Sequence, residues 1–113
     1  MAREPKSLVI TQLSAVGDNT LSYVVPAATV TSASLVLTNA ASLINEVTVI
    51  INNGTSDFIL ARKKLPAGVG KSWRVLEMSD EKLSAGFFVK ISLSAASPVN
   101  VFLSGSEFTG SDA

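Results

Sequence analysis

Phe87-Phe88-Val89-Lys90-Ile91-Ser92-Leu93-Ser94 carries apolar residues at every odd position and mostly polar ones at even positions. After Pro98, Val99-Asn100-Val101-Phe102-Leu103-Ser104 alternates the same way. A period of two is the signature of a strand with one face buried and one face wet. Ser94 to Pro98 is a short loop of Ala, Ser and Pro, so the two segments read as a hairpin. Matching their inward faces sets 93 opposite 99 and 91 opposite 101, with a five-residue loop. A four-residue loop would pair inward with outward positions.

Working outward, Glu46 to Asn52 places Val47, Val49 and Ile51 on one face. Asn53-Gly54 is a tight-turn signal, and Asp57 to Arg62 returns as the partner strand. Ala33, Leu35 and Leu37 share a face within Thr29 to Thr38, as do Leu21, Tyr23 and Val25 ahead of Pro26. Leu8 to Leu13 is the first strand, and Leu65 to Gly70 is a turn-rich link into Ser72 to Leu76. Met78 to Leu83 is the only helix candidate, one turn at most. About eight short strands with polar turns predict an all-β fold, a single antiparallel two-sheet β-sandwich of jelly-roll or Ig-like Greek-key order. One domain spans 1–113, with flexible ends expected over 1–6 and 109–113.

Composition narrows the chemistry. Charged residues are 16% of the 113, against roughly 25% in an average soluble domain, and nine basic residues cancel nine acidic ones. A neutral chain has no field to gather phosphate backbones, so no specific nucleic-acid partner is expected. The chain has neither Cys nor His. Disulfides, thiolate nucleophiles, Cys/His zinc sites and imidazole bases are excluded, and no cofactor or metal is expected. The longest charge-free stretch, Asn19 to Asn45, contains Pro26 and many hydroxyl side chains. No membrane partner follows from it.

Motifs that hint at chemistry dissolve on inspection. Gly68-Val69-Gly70-Lys71-Ser72 ends like a phosphate loop, but the earlier Gly is replaced by Leu65 and the residues after Ser72 read as strand rather than helix. Glu77, Asp80 and Glu81 lack the alternating oxygen ligands of a calcium loop, and one Trp and one Tyr provide little wall for a carboxylate-lined cleft. Trp73 reads as a core or interface side chain. Asn53-Gly54-Thr55 matches a glycosylation triplet, and is better explained as a hairpin turn. The chain is therefore not expected to be an enzyme.

Apolar residues at outward positions are more informative. If odd residues of 87–94 and 99–104 face the core, Phe88 and Phe102 face water, and Ile50 is outward on its own strand. In the hairpin register Phe102 lies opposite Lys90 and diagonal to Phe88, making one patch. Arg62, Lys63, Lys64, Lys71 and Arg74 gather five of the nine cations into one segment. They read as a solvated edge, or as a patch that orients an acidic protein surface or meets nucleic acid inside a capsid. Phe88, Phe102, Ile50, Arg62, Lys63 and Lys64 are the candidate protein-interface residues.

From Tyr23 to Phe108 the chain resembles the small β-sandwich structural proteins of tailed bacteriophage particles. The resemblance runs through Val25-Pro26-Ala27-Ala28-Thr29, Leu35-Val36-Leu37-Thr38-Asn39, Val47 to Gly54, Lys64-Leu65-Pro66-Ala67-Gly68, Lys82-Leu83-Ser84-Ala85-Gly86 and Val99 to Glu107. It implies a virion component that forms homo-oligomers and contacts a major capsid protein or a tail or neck protein. A capsid decoration protein is the first expectation, a neck, tail or baseplate component the second. A carbohydrate- or receptor-binding module of the same fold is the rival from another class, and would want the exposed Trp and Tyr that are scarce here.

Overall fold

Nine strands make up the computed structural model, which describes residues 2–40, 45–65, 72–75, 78, 81–95 and 98–109. They are β1 (Ala2–Leu13), β2 (Gly17–Val24), β3 (Thr29–Asn39), β4 (Asn45–Asn52), β5 (Asp57–Leu65), β6 (Ser72–Val75), β7 (Glu81–Leu83), β8 (Phe88–Leu93) and β9 (Val99–Thr109). One sheet runs β1-β9-β3-β6, with β7 also paired to β3; the other runs β2-β8-β4-β5. Every pairing is antiparallel. With the three-residue β7 set aside, the pairs β4–β5, β3–β6, β2–β8 and β1–β9 nest inside one another. The chain is a long antiparallel ribbon rolled into two sheets, which is a jelly roll rather than an Ig-like order.

The core follows from the alternation. Ala33, Leu35 and Leu37 of β3, Val99, Val101 and Leu103 of β9, Val47 and Val49 of β4, and Val89, Ile91 and Leu93 of β8 are almost wholly buried between the sheets. Trp73 and Val75 close the core from β6, and Lys63 Nζ of β5 lies 5.9 Å from the centre of the Trp73 ring. The expected β4–β5 turn is present. Gly54 takes a left-handed φ of 100°. Asn53 Oδ1 accepts bonds from the amides of Thr55 and Ser56 at 3.0 and 2.8 Å and from Thr55 Oγ1 at 3.0 Å. The glycosylation-like triplet is thus a working turn.

Three expectations are corrected. The 87–104 hairpin does not form: β8 pairs with β2 and β4, β9 pairs with β1 and β3, and the two strands belong to different sheets. Leu93 lies opposite Gly17 and Val47, and Val99 opposite Leu13 and Asn39. Alternation cannot separate the two cases, because an arch between facing sheets buries the same odd residues as a hairpin. Secondly, of the single turn expected over Met78 to Leu83, Met78 does lie in a 3-10 turn, but Glu81 to Leu83 is strand. It pairs with Thr31 to Ala33, completing the edge of β3 that the short β6 leaves open. Thirdly, the arm expected over 1–6 is strand from Ala2, paired with residues 105–109 of β9. Pro5 lacks a donor, and an edge strand such as β1 tolerates that loss. Of the tail expected over 109–113, Thr109 is the last residue of β9; 110–113, the link at 66–71 and Glu77 and Asp80 lie outside the described residues.

Candidate functional site

Because β8 and β9 sit in different sheets, Phe88 and Phe102 are on opposite outer faces of the sandwich. Packed sheets lie about 10 Å apart, so the two rings cannot share a patch. Each face has its own surface.

On the outer face of the β1-β9-β3-β6 sheet, Ile10, Phe102, Val36 and Arg74 are successive cross-strand neighbours. Ile10 is 67% exposed and Phe102 40%; Val36 is half-buried and Arg74 exposed. One flanking row is Gln12, Asn100, Thr38 and Ser72, with Gln12 Nε2 donating to Asn100 Oδ1 at 2.9 Å. The other contains Ser104 and Ser34. The face is therefore an apolar stripe between hydroxyl and amide side chains, with the Arg74 guanidinium at its end and Lys82, whose Nζ donates to Ser32 Oγ at 3.3 Å, further along β3. Beside Arg74 a depression of about 240 Å³ opens, rimmed by Ser34, Val36 and Ser104 and floored by Leu35, Val75 and Met78. It marks the gap between β6 and β7 along β3.

On the outer face of the other sheet, Val24, Phe88, Asn52 and Asp57 form one transverse row and Thr20, Lys90, Ile50 and Ile59 the next. Ile50 belongs to this outer face, since it stands apart from the buried core cluster. Yet it is only 7% exposed, which corrects its place among free surface residues. The reason is a charge bridge across β4. Lys90 Nζ of β8 reaches Asp57 of β5 at 3.2 Å, so the Lys90 stem spans the strand that carries Ile50. Asn52 Nδ2 donates to Asp57 Oδ1 at 2.7 Å. That bond first, and Lys90 second, hold the Asp57 carboxyl below its ordinary range. Phe88 is half-buried in the same face.

Arg62, Lys63 and Lys64 are all exposed on the edge strand β5. Arg62 Nε donates to Thr48 Oγ1 at 3.0 Å on the outer face, and Lys64 lies opposite Glu46. Lys63 alternates to the other side, toward Trp73. The sequence segment therefore splits into two outward cations and one that seals the sheet edge over an aromatic ring.

Sequence reasoning missed Ile10, Val24, Phe58 and Ile59, which are 67, 51, 56 and 64% exposed. A signal existed. Each lies in a run of consecutive apolar residues, Leu8-Val9-Ile10, Val24-Val25 or Phe58-Ile59-Leu60-Ala61, and a strand cannot turn such a run wholly inward. In β5 a bulge decides which residue loses: Val49 pairs with Ala61 but Ile50 with Ile59, so Leu60 is the extra residue and Ile59 turns outward.

Inside the sandwich, one polar cluster joins the sheets. Tyr23 Oη donates to Glu107 Oε2 at 2.5 Å and lies 2.7 Å from Thr31 Oγ1. Burial and the Glu107 carboxylate push the Tyr23 phenol up to about 12. Glu107 is 8% exposed. The trio ties β2 to β3 and β9, and among the described residues no group of three or more carboxylates could hold a metal ion.

No family model matches the chain, and no curated protein sequence matches it. A solved structure does share the fold. The NLP core of Drosophila, whose crystal structure gives insight into pentamer formation and histone binding, is 18% identical with a TM-score of 0.53, covering 92% of this chain and all of that one. A chain of the infectious bursal disease virus Gx strain is 15% identical with a TM-score of 0.40 over 96% of this chain and 32% of its own length. At such identities what this chain is shown to have in common with the Drosophila core is its architecture, a two-sheet antiparallel sandwich.

Proposed function

We propose that this chain is a non-enzymatic, self-associating structural protein of a bacteriophage particle, a capsid decoration protein that docks through the outer face of the β1-β9-β3-β6 sheet. The observation that carries the reading is the stripe Ile10–Phe102–Val36 set among uncharged polar side chains. Such a face can be covered by a neighbour without stripping water from many ions, and its seryl and amide rim can re-form hydrogen bonds across the contact. Repetition over a symmetric particle multiplies a modest contact through avidity. The sequence resemblance to small phage β-sandwich proteins supplies the particle. The fold does not, since jelly rolls serve many functions.

Histone binding, attributed to the Drosophila neighbour, fits poorly here. The exposed charges of β5 and β6 are mainly basic, Arg62, Lys63, Lys64 and Arg74, and would repel a basic partner.

Co-sedimentation tests the proposal. The purified chain is mixed with heads, and separately with tails, of the phage whose genome encodes it. Wild-type protein should pellet with heads, and Phe102→Asp should stay folded but remain in the supernatant. Pelleting with tails alone would move the protein to the neck or tail. Equal binding by wild type and Phe102→Asp, or none by the wild type, would overturn the docking face.

A further inference from the structure

The exposed large apolar residues do not scatter. Among the described residues they are Ile10, Val16, Val24, Phe58, Ile59 and Phe102. Apart from Phe102 on β9, none lies on a central strand. Phe102 belongs to the docking stripe with Ile10. The remaining four divide between the two flanks of the sandwich, where the sheets' edge strands run side by side, β1 with β2 and β5 with β6. Val16 and Val24 lie on the first flank, and Val24 is continued by exposed Pro26, Ala27 and Ala28. Phe58 and Ile59 lie on the second.

Two features decide what could cover these flanks. One is height. Val24, Phe88, Asn52 and Asp57 are one transverse row, so the Val24 patch and the Phe58–Ile59 patch sit at the same level along the strands, at opposite ends of that row. The other is charge. β5 and β6 carry Arg62, Lys63, Lys64 and Arg74 against Asp57, a net of +3, whereas on β1 and β2 Arg3 and Lys6 cancel Glu4 and Asp18. Pairing the second flank with itself would set +3 against +3. Pairing the first with itself would leave Phe58 and Ile59 uncovered.

We propose that copies of this chain join head to tail, the Val24 edge of one against the Phe58–Ile59 edge of the next, and close into a ring about an axis roughly along the strands. A single heterologous contact repeated by rotation covers both patches on every copy, and equal height is what lets rotation without translation close the circle rather than wind a filament. The inference deepens the reading of a self-associating structural protein and leaves the stripe around Phe102 free for the particle.

Mixing of edge variants tests it, with sedimentation velocity as the readout and circular dichroism as the check on folding. Wild-type protein should sediment as a species larger than a dimer. Val24→Asp and Ile59→Asp should each be monomeric. Mixed in equal amounts they should form a 1:1 dimer and nothing larger, because each retains one intact edge complementary to the other's. Where an aspartate unfolds the chain, Val24→Ser and Ile59→Ser carry the same test. A monomeric wild type overturns the ring, as does a wild-type dimer that Ile59→Asp leaves intact, or a mixture that stays monomeric. Phe102→Asp separates the two proposals. It should keep the ring while losing particle binding, whereas a wild type that pellets with heads yet sediments alone as a monomer would sink the ring and spare the docking face.

Discussion

Gly105 is the position at which one methyl group should cost most. It pairs with Ala33 of β3 and Lys6 of β1, inside the two ladders that β9 makes with its neighbours, the longest among the described residues. A Cβ built there would lie 2.0 Å from the Ser32 carbonyl oxygen and 3.0 Å from the Ala33 Cα. Carbon–oxygen contacts between strands run near 3.3 Å, so the backbone would have to give by about 1.3 Å. No flexible side chain can yield instead, because both obstacles are main chain of β3, itself held between β9 and β7. Overpacking of this kind costs about 1–3 kcal/mol, and a backbone clash belongs at the upper end. Against it, Ala reduces the entropy of the unfolded chain by about 0.4–1 kcal/mol. The net of about 2 kcal/mol corresponds to a fall in melting temperature of roughly 8 °C for a domain this size. Gly86→Ala is the control. Its φ is +85° with nothing within 4 Å of the added carbon, so it should lose only the ~1 kcal/mol of left-handed strain. Thermal unfolding followed by circular dichroism reads both. A Gly105→Ala protein that melts at or above the wild type, or loses less than Gly86→Ala, would refute the close approach of β9 to β3.

The chain has one tyrosine, so near-ultraviolet titration of tyrosinate reads Tyr23 alone. Its folded value of about 12 against an ordinary 10.0 means the unfolded chain ionises first. The stability this group contributes is whole below pH 10 and is lost as pH rises toward 12. A midpoint near 10 in the folded protein would refute the burial of the phenol together with its bond to Glu107, and Tyr23→Phe should remove the alkaline step. Asn53→Ala deletes three acceptor contacts that close the β4–β5 turn, and should cost about 1 kcal/mol by denaturant titration. A neutral result would show that Gly54 alone sets the turn. Lys90→Ala should uncover Ile50 and raise binding of a hydrophobic dye, while unchanged dye binding would mean that Ile59 and its neighbours shield Ile50 without the lysine stem.

Much of the fold was legible because it rests on local rules. Alternation at Ala33-Leu35-Leu37, Val47-Val49, Val89-Ile91-Leu93 and Val99-Val101-Leu103 fixed strands and inward faces, and a one-residue slip would have exposed each set. Asn53-Gly54 fixed a turn through its own side chain. The absence of Cys and His removed whole classes of chemistry at a glance. The candidate surface was only half legible. Outward orientation of Phe88, Phe102 and Ile50 followed from parity, but their grouping and exposure did not.

What tertiary structure alone decided was partnership. Residues facing the core obey the same period whether the next strand lies beside them or across from them, so the chain could not announce that β8 and β9 belong to different sheets. That choice separated Phe88 from Phe102. Exposure likewise depends on neighbours remote in sequence: Ile50 is covered by a bond between Lys90 and Asp57, 33 residues apart, and Ile59 is uncovered by a bulge at Leu60. Sequence sets which way a side chain points through bonds a few residues long. Whether anything stands over it depends on strand pairings made after the ribbon has rolled.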